Sequence, residues 1–487
     1  MKKLTVVLAS LLLVLSAVSA AGSSDTESTI RSYTEDASPK YVFMFIGDGM
    51  SSPQTNSAQV YNGRNESGLV ELDKLTFTQF PIVGLQYTQD STSFCPDSAS
   101  TATSLSSGYK THSGVIGMGV DRVTPGTTIA EMLHDKGWKI GIVSTVTINH
   151  ATPAAFYAHI APRNDYYDIG LQMAESGFEY FAGGSVNKAD DGEKSIYEVL
   201  ADNGYMVTND KDTILSLNSN SGKVYAYSPV LQDDGAMPYA IDAPADSLRL
   251  KDFVKKGIDV LYNETGFFMM VEGGKIDWAG HANDAVANMS DTIALDEAVE
   301  VALEFAKDHP DETLILVTGD HETGGMTIGY AATGYNTAFD ILRAQKCSYI
   351  QFDSYVEEAK ADGSFTFDDM MAMVEEYFGL VAPGQSAENE ALVMNDYEYA
   401  KLQKAYEDDQ TGNTDGYEES LLYGGYSPIS VTLTHIINNK AGIGWTSYAH
   451  TGLPVPVYAY GEGAELFSGA YDNTEVALRL MDLTNAR

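Results

Sequence analysis

Four near-continuous apolar runs, each leading to a residue able to do chemistry, constrain the fold of this chain more than any other feature. Tyr41–Ile46 runs into Gly47-Asp48-Gly49, and Ile140–Val146 leads to His150 and Thr152. Phe267–Val271 stops at Glu272-Gly273-Gly274, and Thr313–Thr318 stops at Gly319-Asp320-His321. Runs without polar alternation suit strands covered on both faces, meaning a central, mostly parallel sheet sandwiched by helices in three α/β/α layers. Helical patterns over Thr127–Gly137 and Ser290–His309 fall between the runs and supply candidates for the outer layers. In open α/β sheets, ligands gather outside the carboxyl ends of the strands, so tips of this kind predict one shared site.

A candidate reacting group lies in Cys95-Pro96-Asp97-Ser98-Ala99-Ser100-Thr101-Ala102-Thr103. The Ser98 hydroxyl stands at the start of a small-residue helix, in the positive field of its N-terminus, with the Asp97 carboxylate just before it. Asp-Ser pairs also cap ordinary helices, so the weight comes from the rest of the chain. Asp277 and His281, at i, i+4 in Glu272–His281, share one side of a helical turn and can share one cation. Asp320 and His321 are adjacent and bind as a unit only at a sharp turn, which Gly319, Gly324 and Gly325 permit. His450, in Tyr448–Gly452, is a third candidate imidazole. Mixed histidine and carboxylate ligands suit zinc, whereas Asp, Glu and Thr oxygens suit magnesium. His112, His134, His159, His309 and His435 are read as ordinary core or surface residues.

Charge narrows the partners. With 68 acidic against 29 basic residues, the net charge is −39, which repels nucleic-acid backbones and anionic lipid. The acidic residues are spread along the chain, as suits solubility in a salty medium. Lys2 and Lys3 precede the apolar run Leu4–Leu15, and Val18-Ser19-Ala20 offers a small-residue cleavage site, so residues 1–20 read as a secretory signal. Residues 21–39 read as a flexible acidic leader. Export to the periplasm or the extracellular space follows, without membrane insertion after cleavage. The two cysteines, Cys95 and Cys347, fit either a single bridge or two free buried thiols. Residues 40–487 read as one catalytic domain, interrupted at about 331–440 by a Glu-, Asp-, Tyr- and Met-rich insertion that stacks near the site. Within it, Asp408–Glu419 has many oxygen ligands but not the regular calcium-loop order. The sequons at Asn65, Asn263 and Asn288 matter only in a glycosylating host.

Taken together, the motifs resemble those of the alkaline phosphatases from about Tyr41 to Gly461. The matching stretches are Asp48-Gly49-Met50, Pro96-Asp97-Ser98-Ala99, His150-Ala151-Thr152-Pro153-Ala154, Arg163, Glu272-Gly273, Asp277-Trp278-Ala279-Gly280-His281, Asp320-His321 and His450-Thr451-Gly452, in the family's order. The resemblance implies a phosphomonoesterase of broad substrate range and alkaline optimum, with Ser98 as nucleophile and phosphoserine as intermediate. It implies two Zn2+ and one Mg2+ per chain: one zinc on Asp277, His281 and His450, a second on Asp48, Asp320 and His321, and magnesium on Asp48, Thr152 and Glu272. Arg163 would grip the phosphate, oriented by Asp97. His150 and Trp278 stand where some bacterial members carry aspartate and lysine; His150 would reach magnesium through water, and Trp278 removes a cation from the phosphate's surroundings. The insertion would form a crown, and the chain would be a homodimer.

Other readings are a catalytically inactive, extracytoplasmic phosphate- or metal-binding protein, or a phosphodiesterase of the same superfamily. A sulfatase would need a Cys-x-Pro-x-Arg signature, whereas Pro96 follows Cys95 directly with no arginine nearby.

Overall fold

The computed structural model describes residues 38–66, 69–361, 363–412 and 416–487. The expected signal segment and nearly all of the leader lie outside the described residues. Ten strands make one sheet: β1 Tyr41–Gly47, β2 Ile82–Tyr87, β3 Lys139–Ser144, β4 Tyr180–Gly183, β5 Tyr205–Thr208, β6 Lys223–Tyr227, β7 Phe267–Glu272, β8 Thr313–Gly319, β9 Val455–Gly461 and β10 Gly469–Asp472. Their spatial order is β10-β2-β9-β8-β1-β7-β3-β4-β6-β5. Within it, β9 runs antiparallel to both neighbours, while every other pairing is parallel.

The apolar runs are central strands because both of their faces are covered. Phe43, Phe45, Met269, Val271, Ile315 and Val317 pack with the helices Leu250–Leu261 and Ala285–Asp308. The alternating set Val42, Met44, Ile46, Met270, Leu314 and Leu316 packs with Ser98–Ser107, Ile129–Asp135 and Thr474–Leu483. All twelve strand residues are fully buried, and each such side chain contributes roughly 1.5–3 kcal/mol. These are the three layers expected from the sequence.

Several boundaries shift; the helix expected over Thr127–Gly137 spans Ile129–Asp135. The helix read from Ser290 begins at Ala285, because the Asp284 side chain accepts from the Ala287 N–H at 3.1 Å and caps it. Buried Asn288 and Asp291 hide that first turn from an apolar pattern. The strand read to Val146 ends at Ser144, where the Thr145 N–H turns to the Glu272 carbonyl.

Residues 331–440 carry the helices Tyr349–Lys360, Phe367–Phe378, Asp396–Thr411 and Tyr417–Leu422 and nearly all of Pro428–Ala441. Their apolar residues, including Phe352, Met370, Leu402 and Leu433, join the same core as β1 and β8. The Asp408–Glu419 stretch ends one helix and starts the next, with 413–415 outside the described residues. Asp408 pairs with Lys404 at 2.7 Å and Asp409 with Lys360 at 2.9 Å, so lysines already answer those carboxylates. Cys347 is buried and Cys95 exposed, and both are free thiols, so the reading with two buried thiols fails at Cys95. Asn288 is fully buried and its amide donates to the Ile276 carbonyl, which removes it as a glycan acceptor.

Candidate active site

Strand register assembles the floor of the site. Gly47 of β1 pairs with Gly319 of β8, so Asp48 and Asp320 emerge at the same level from neighbouring strands. Glu272 ends β7 opposite Ile46. Glycine is required here: a Cβ on Gly319 would stand 1.9 Å from the Met50 carbonyl oxygen. Gly49 adopts φ +71° and leaves no room for a side chain beside Asp277.

Ser98 opens the helix Ser98–Ser107, every residue of which is buried. Its hydroxyls bond back to the preceding turn, as Thr103 does to the Ala99 carbonyl at 2.7 Å and Ser107 to that of Thr103 at 2.6 Å. Asp97 caps the helix by accepting from the Ser100 N–H at 3.1 Å. Its other oxygen accepts from Arg163 Nη1 at 2.8 Å and from the Gly114 N–H at 2.9 Å. Burial alone would raise the Asp97 carboxyl, but the guanidinium and these donors hold it below the usual range. Ser98 Oγ lies 3.2 Å from His321 Nε2 and 3.4 Å from Asp48 Oδ1.

Three groups of ligand-type atoms surround this hydroxyl, each with its atoms within 4.8 Å of one another: Asp277, His281 and His450; Asp48, Asp320 and His321; Asp48, His150 and Glu272. The tautomers of the first two sets follow from their outer contacts. His281 Nδ1 faces the Tyr448 carbonyl at 2.6 Å, and His450 Nδ1 faces that of Pro96 at 2.6 Å. A carbonyl only accepts, so both Nδ1 atoms carry a proton, and in the neutral rings both Nε2 atoms present lone pairs; without a cation His281 Nε2 is protonated as well and faces Asp277 at 3.4 Å. Thr323 gives its hydroxyl proton to Asp277 and therefore accepts from His321 Nδ1 at 3.3 Å, which turns the His321 Nε2 lone pair inward as well.

Lone pairs and carboxylates thus converge without protein donors enough to answer them. The Nε2 atoms of His281 and His450 lie 3.0 Å apart, and His321 Nε2 lies 3.4 Å from Asp48 and 3.3 Å from Asp320. Glu272 takes the Ser144 hydroxyl on Oε2, but its buried Oε1 has no hydrogen-bond partner. Burial and the neighbouring carboxylates Asp320, Asp277 and Glu272 hold the Asp48 carboxyl well above its usual value. Burial likewise pushes Glu272 up to about 8 and, with Asp277, Asp320 up to about 6. Burial lowers the His281 imidazole, but Asp277 more than reverses this and brings it to about 9. Such a donor set suits divalent cations, which supply the missing positive charge.

The remaining expected residues lie around the same floor. Thr152 donates to Asp48 Oδ2 at 3.3 Å. His150 accepts from Arg163 Nη2 at 3.3 Å; burial, then Arg163, drop its pKa to about 3, so the ring is neutral. Its position beside Asp48 and Glu272 brings it within ligand reach of the third group. Trp278 packs edge-on to His150, with ring centres 5.8 Å apart. Ser98, Arg163, His150, Asp277, Trp278, His281 and His450 all line one cavity of about 490 Å³. None of the five histidines set aside in the sequence belongs to a metal-type group among the described residues.

Sequence reasoning missed the supports. Glu322 accepts from Gln54 Nε2 at 2.7 Å and from the Gly325 and Met326 N–H groups, and the Thr451 hydroxyl donates to it. It thereby ties the His321 turn to the two-residue strand His450–Thr451. Thr101 donates to Asp320 Oδ2 at 2.9 Å. Fully buried Lys275 donates to Asp233 Oδ2 at 2.9 Å, with Nζ 3.8 Å from the Tyr239 ring centre and 4.6 Å from that of Trp278. Glu322 abuts Asp320-His321, and Lys275 lies inside the Glu272–His281 motif; adjacency was the only signal available.

A mostly parallel α/β/α sheet whose tips gather carboxylates and histidines beside a serine at a helix start and a half-buried arginine is the framework of a phosphate-handling hydrolase. The chain belongs to the alkaline phosphatase family: the family model described as alkaline phosphatase matches residues 39–189 and 184–485. It is 31% identical over 449 residues to alkaline phosphatase 3 of Bacillus subtilis, covering 90% of this chain and 87% of that one. The crystal structure of a cold-active alkaline phosphatase from Shewanella sp. superposes with a TM-score of 0.75 at 29% identity, over 91% of this chain and 99% of that one. A TAB5 alkaline phosphatase variant matches with a TM-score of 0.62 at 26% identity, over 93% and 99%. The protein is a phosphatase. Among the described residues no helix is long and apolar enough to cross a membrane.

Proposed function

We propose that the protein is an exported, metal-dependent phosphomonoesterase that works through a phosphoserine on Ser98. One observation carries this reading: Ser98 Oγ stands between His321 and Asp48, with Arg163 opening on the same cavity. Asp277, His281 and His450 would hold one zinc, and Asp48, Asp320 and His321 the other. Asp48 and Glu272, with Thr152 and His150 beside them, would hold magnesium; the TAB5 variant was solved with magnesium in its M3 site. When bound, the divalent ions would lower the pKa of the serine hydroxyl and stabilise the departing alkoxide.

Arg163 presents a planar fork to two phosphate oxygens, and Asp97 fixes its orientation. Ser98 Oγ forms a bond to phosphorus as the phosphorus–oxygen bond to the alcohol breaks; the Ser98 proton leaves on the side of Asp48 Oδ1, and the alkoxide takes up a proton from water to depart as the alcohol. Water then attacks the phosphoserine, releasing inorganic phosphate and restoring the hydroxyl. Helix-start N–H groups beside Ser98 favour the anion throughout. We read 331–440 as an insertion on one catalytic domain, and the working form as a homodimer.

The test is hydrolysis of an aryl phosphomonoester at alkaline pH by wild type and Ser98→Ala, with zinc and magnesium or with chelator. Turnover abolished by chelation and by the substitution supports the reading. A metal-loaded wild type that cleaves only diesters would replace it with a phosphodiesterase.

A further inference from the structure

The cavity that holds Ser98 continues past the phosphate end into a wall of different chemistry. Trp278, Tyr349 and Tyr426 line it, together with Asp233 and Asp234. Tyr349 and Tyr426 meet edge to face with ring centres 5.7 Å apart, and Tyr239 backs Tyr349 at 5.9 Å. Arg163 is the only lysine or arginine lining this cavity among the described residues, and it belongs to the phosphate end.

The two aspartates are held in place by their loop. Asp233 and Asp234 adopt φ of 48° and 57°, a left-handed conformation that aspartate tolerates at some cost. The loop is closed by the Gln232 N–H donating to the Ala236 carbonyl at 2.9 Å, and Ser185 Oγ donates to the Gly235 carbonyl at 2.9 Å. Asp233 is neutralised by Lys275. Asp234 is exposed to the cavity and has no cationic partner among the described residues. Lys275 itself, lying over Tyr239 and Trp278, shows that this aromatic group already accommodates a cation on one side.

Resting on the phosphomonoesterase reading, we propose that this wall is a leaving-group subsite for organic cations. It favours phosphomonoesters of ammonium alcohols over neutral or anionic ones. The half-buried Trp278 and Tyr426 rings, backed by buried Tyr349, offer aromatic surface to an alkylammonium group, and Asp234 offers a carboxylate. An anionic leaving group meets Asp234 instead, in a chain already at −39. Phosphate binding at Arg163 and cation binding at the wall would then read the two ends of one zwitterionic substrate.

Phosphocholine and 3,3-dimethylbutyl phosphate test this, being alike in shape and different in charge. Their kcat/KM values are measured with the metal-loaded full chain, for wild type, Asp234→Asn and Tyr426→Leu. Choline is also the better leaving group, so the change in the ratio on substitution carries the assignment. The wild type is expected to favour phosphocholine, and each substitution to lower that ratio by about 5-fold, less at high salt. A ratio that neither substitution moves overturns the subsite while leaving the phosphomonoesterase intact. If the metal-loaded wild type cleaves neither ester nor p-nitrophenyl phosphate, the phosphomonoesterase reading and the subsite fall together.

Discussion

The floor and the wall of the cavity are built on opposite principles. The floor stands on the tips of β1, β7 and β8, where strand register sets Asp48, Glu272 and Asp320, and these carboxylates and His321 are fully buried while His150, His281, His450 and Arg163 are half-buried around them. The wall is assembled from a loop at 232–236 and from Tyr349 and Tyr426 of the 331–440 segment, and parts of it are exposed. The floor carries more negative charge and more lone pairs than the protein itself can answer, so its stability depends on what binds there. The wall is nearly self-sufficient, with Lys275 answering Asp233 and rings packing on rings. Chemistry common to a family suits the first kind of construction, and substrate preference suits the second.

The sharpest way to break this contrast is at Ser98. Ser98→Ala is expected to lower kcat by at least ~10³-fold while leaving metal uptake intact, read by steady-state kinetics beside metal analysis. A loss confined to KM would mean that the floor only binds. Arg163→Lys comes next: kcat/KM is expected to drop ~10²-fold, because a point charge cannot reproduce the fork that Asp97 orients. Activity near wild type would show that charge alone suffices there.

The floor's dependence on cations has a pH signature. In chelated protein, Asp320, Glu272 and His281 have folded pKa values near 6, 8 and 9, each raised above its ordinary value. At these groups the folded state binds more protons than the unfolded chain, so their contribution to stability falls as pH rises; His150 and His321, held below the usual imidazole value by burial, pull the other way only up to about pH 7, where the unfolded imidazoles have lost their protons. The His281 contribution is complete below its unfolded value and is lost through about 9; the buried acids become a growing burden through about 6 and 8. Asp277, held well below its usual value, contributes stability that is lost only in strong acid and so does not enter. The Tm of chelated protein is expected to be lower at pH 9 than at pH 6, and zinc with magnesium to narrow the gap. Equal slopes with and without metal would place the sensitivity elsewhere.

The smallest effect lies where floor and wall meet. His150→Asp with Trp278→Lys is expected to tighten inhibition by inorganic phosphate several-fold, since a lysine brings a cation near the phosphate and a carboxylate strengthens the third group. Unchanged inhibition constants would show that this pair does not tune product release.

The same contrast explains what could be read before the structure. Asp48, Glu272 and Asp320 follow uninterrupted apolar runs, and Asp277 and His281 sit at i, i+4, so local pattern places them on strand tips and a helical turn, whereas Arg163 comes only with the family resemblance. The supports required long-range proximity. Gln54 and Glu322 are 268 positions apart in sequence, and Asp233 and Lys275 are 42 apart, with no periodicity linking them. Tyr349 and Tyr426 are two of 30 tyrosines, and nothing local separates them from the others. Asp234 owes its place to a left-handed turn that its neighbours in sequence do not announce.

The most direct measurement is rapid acid quenching of the metal-loaded enzyme during turnover of a 32P-labelled phosphomonoester, followed by peptide mapping. Label is expected on the peptide containing Ser98, absent in Ser98→Ala and in chelated protein. Sustained hydrolysis by wild type with no labelled Ser98 at any quench time, at acid or alkaline pH, would contradict a serine nucleophile on this floor.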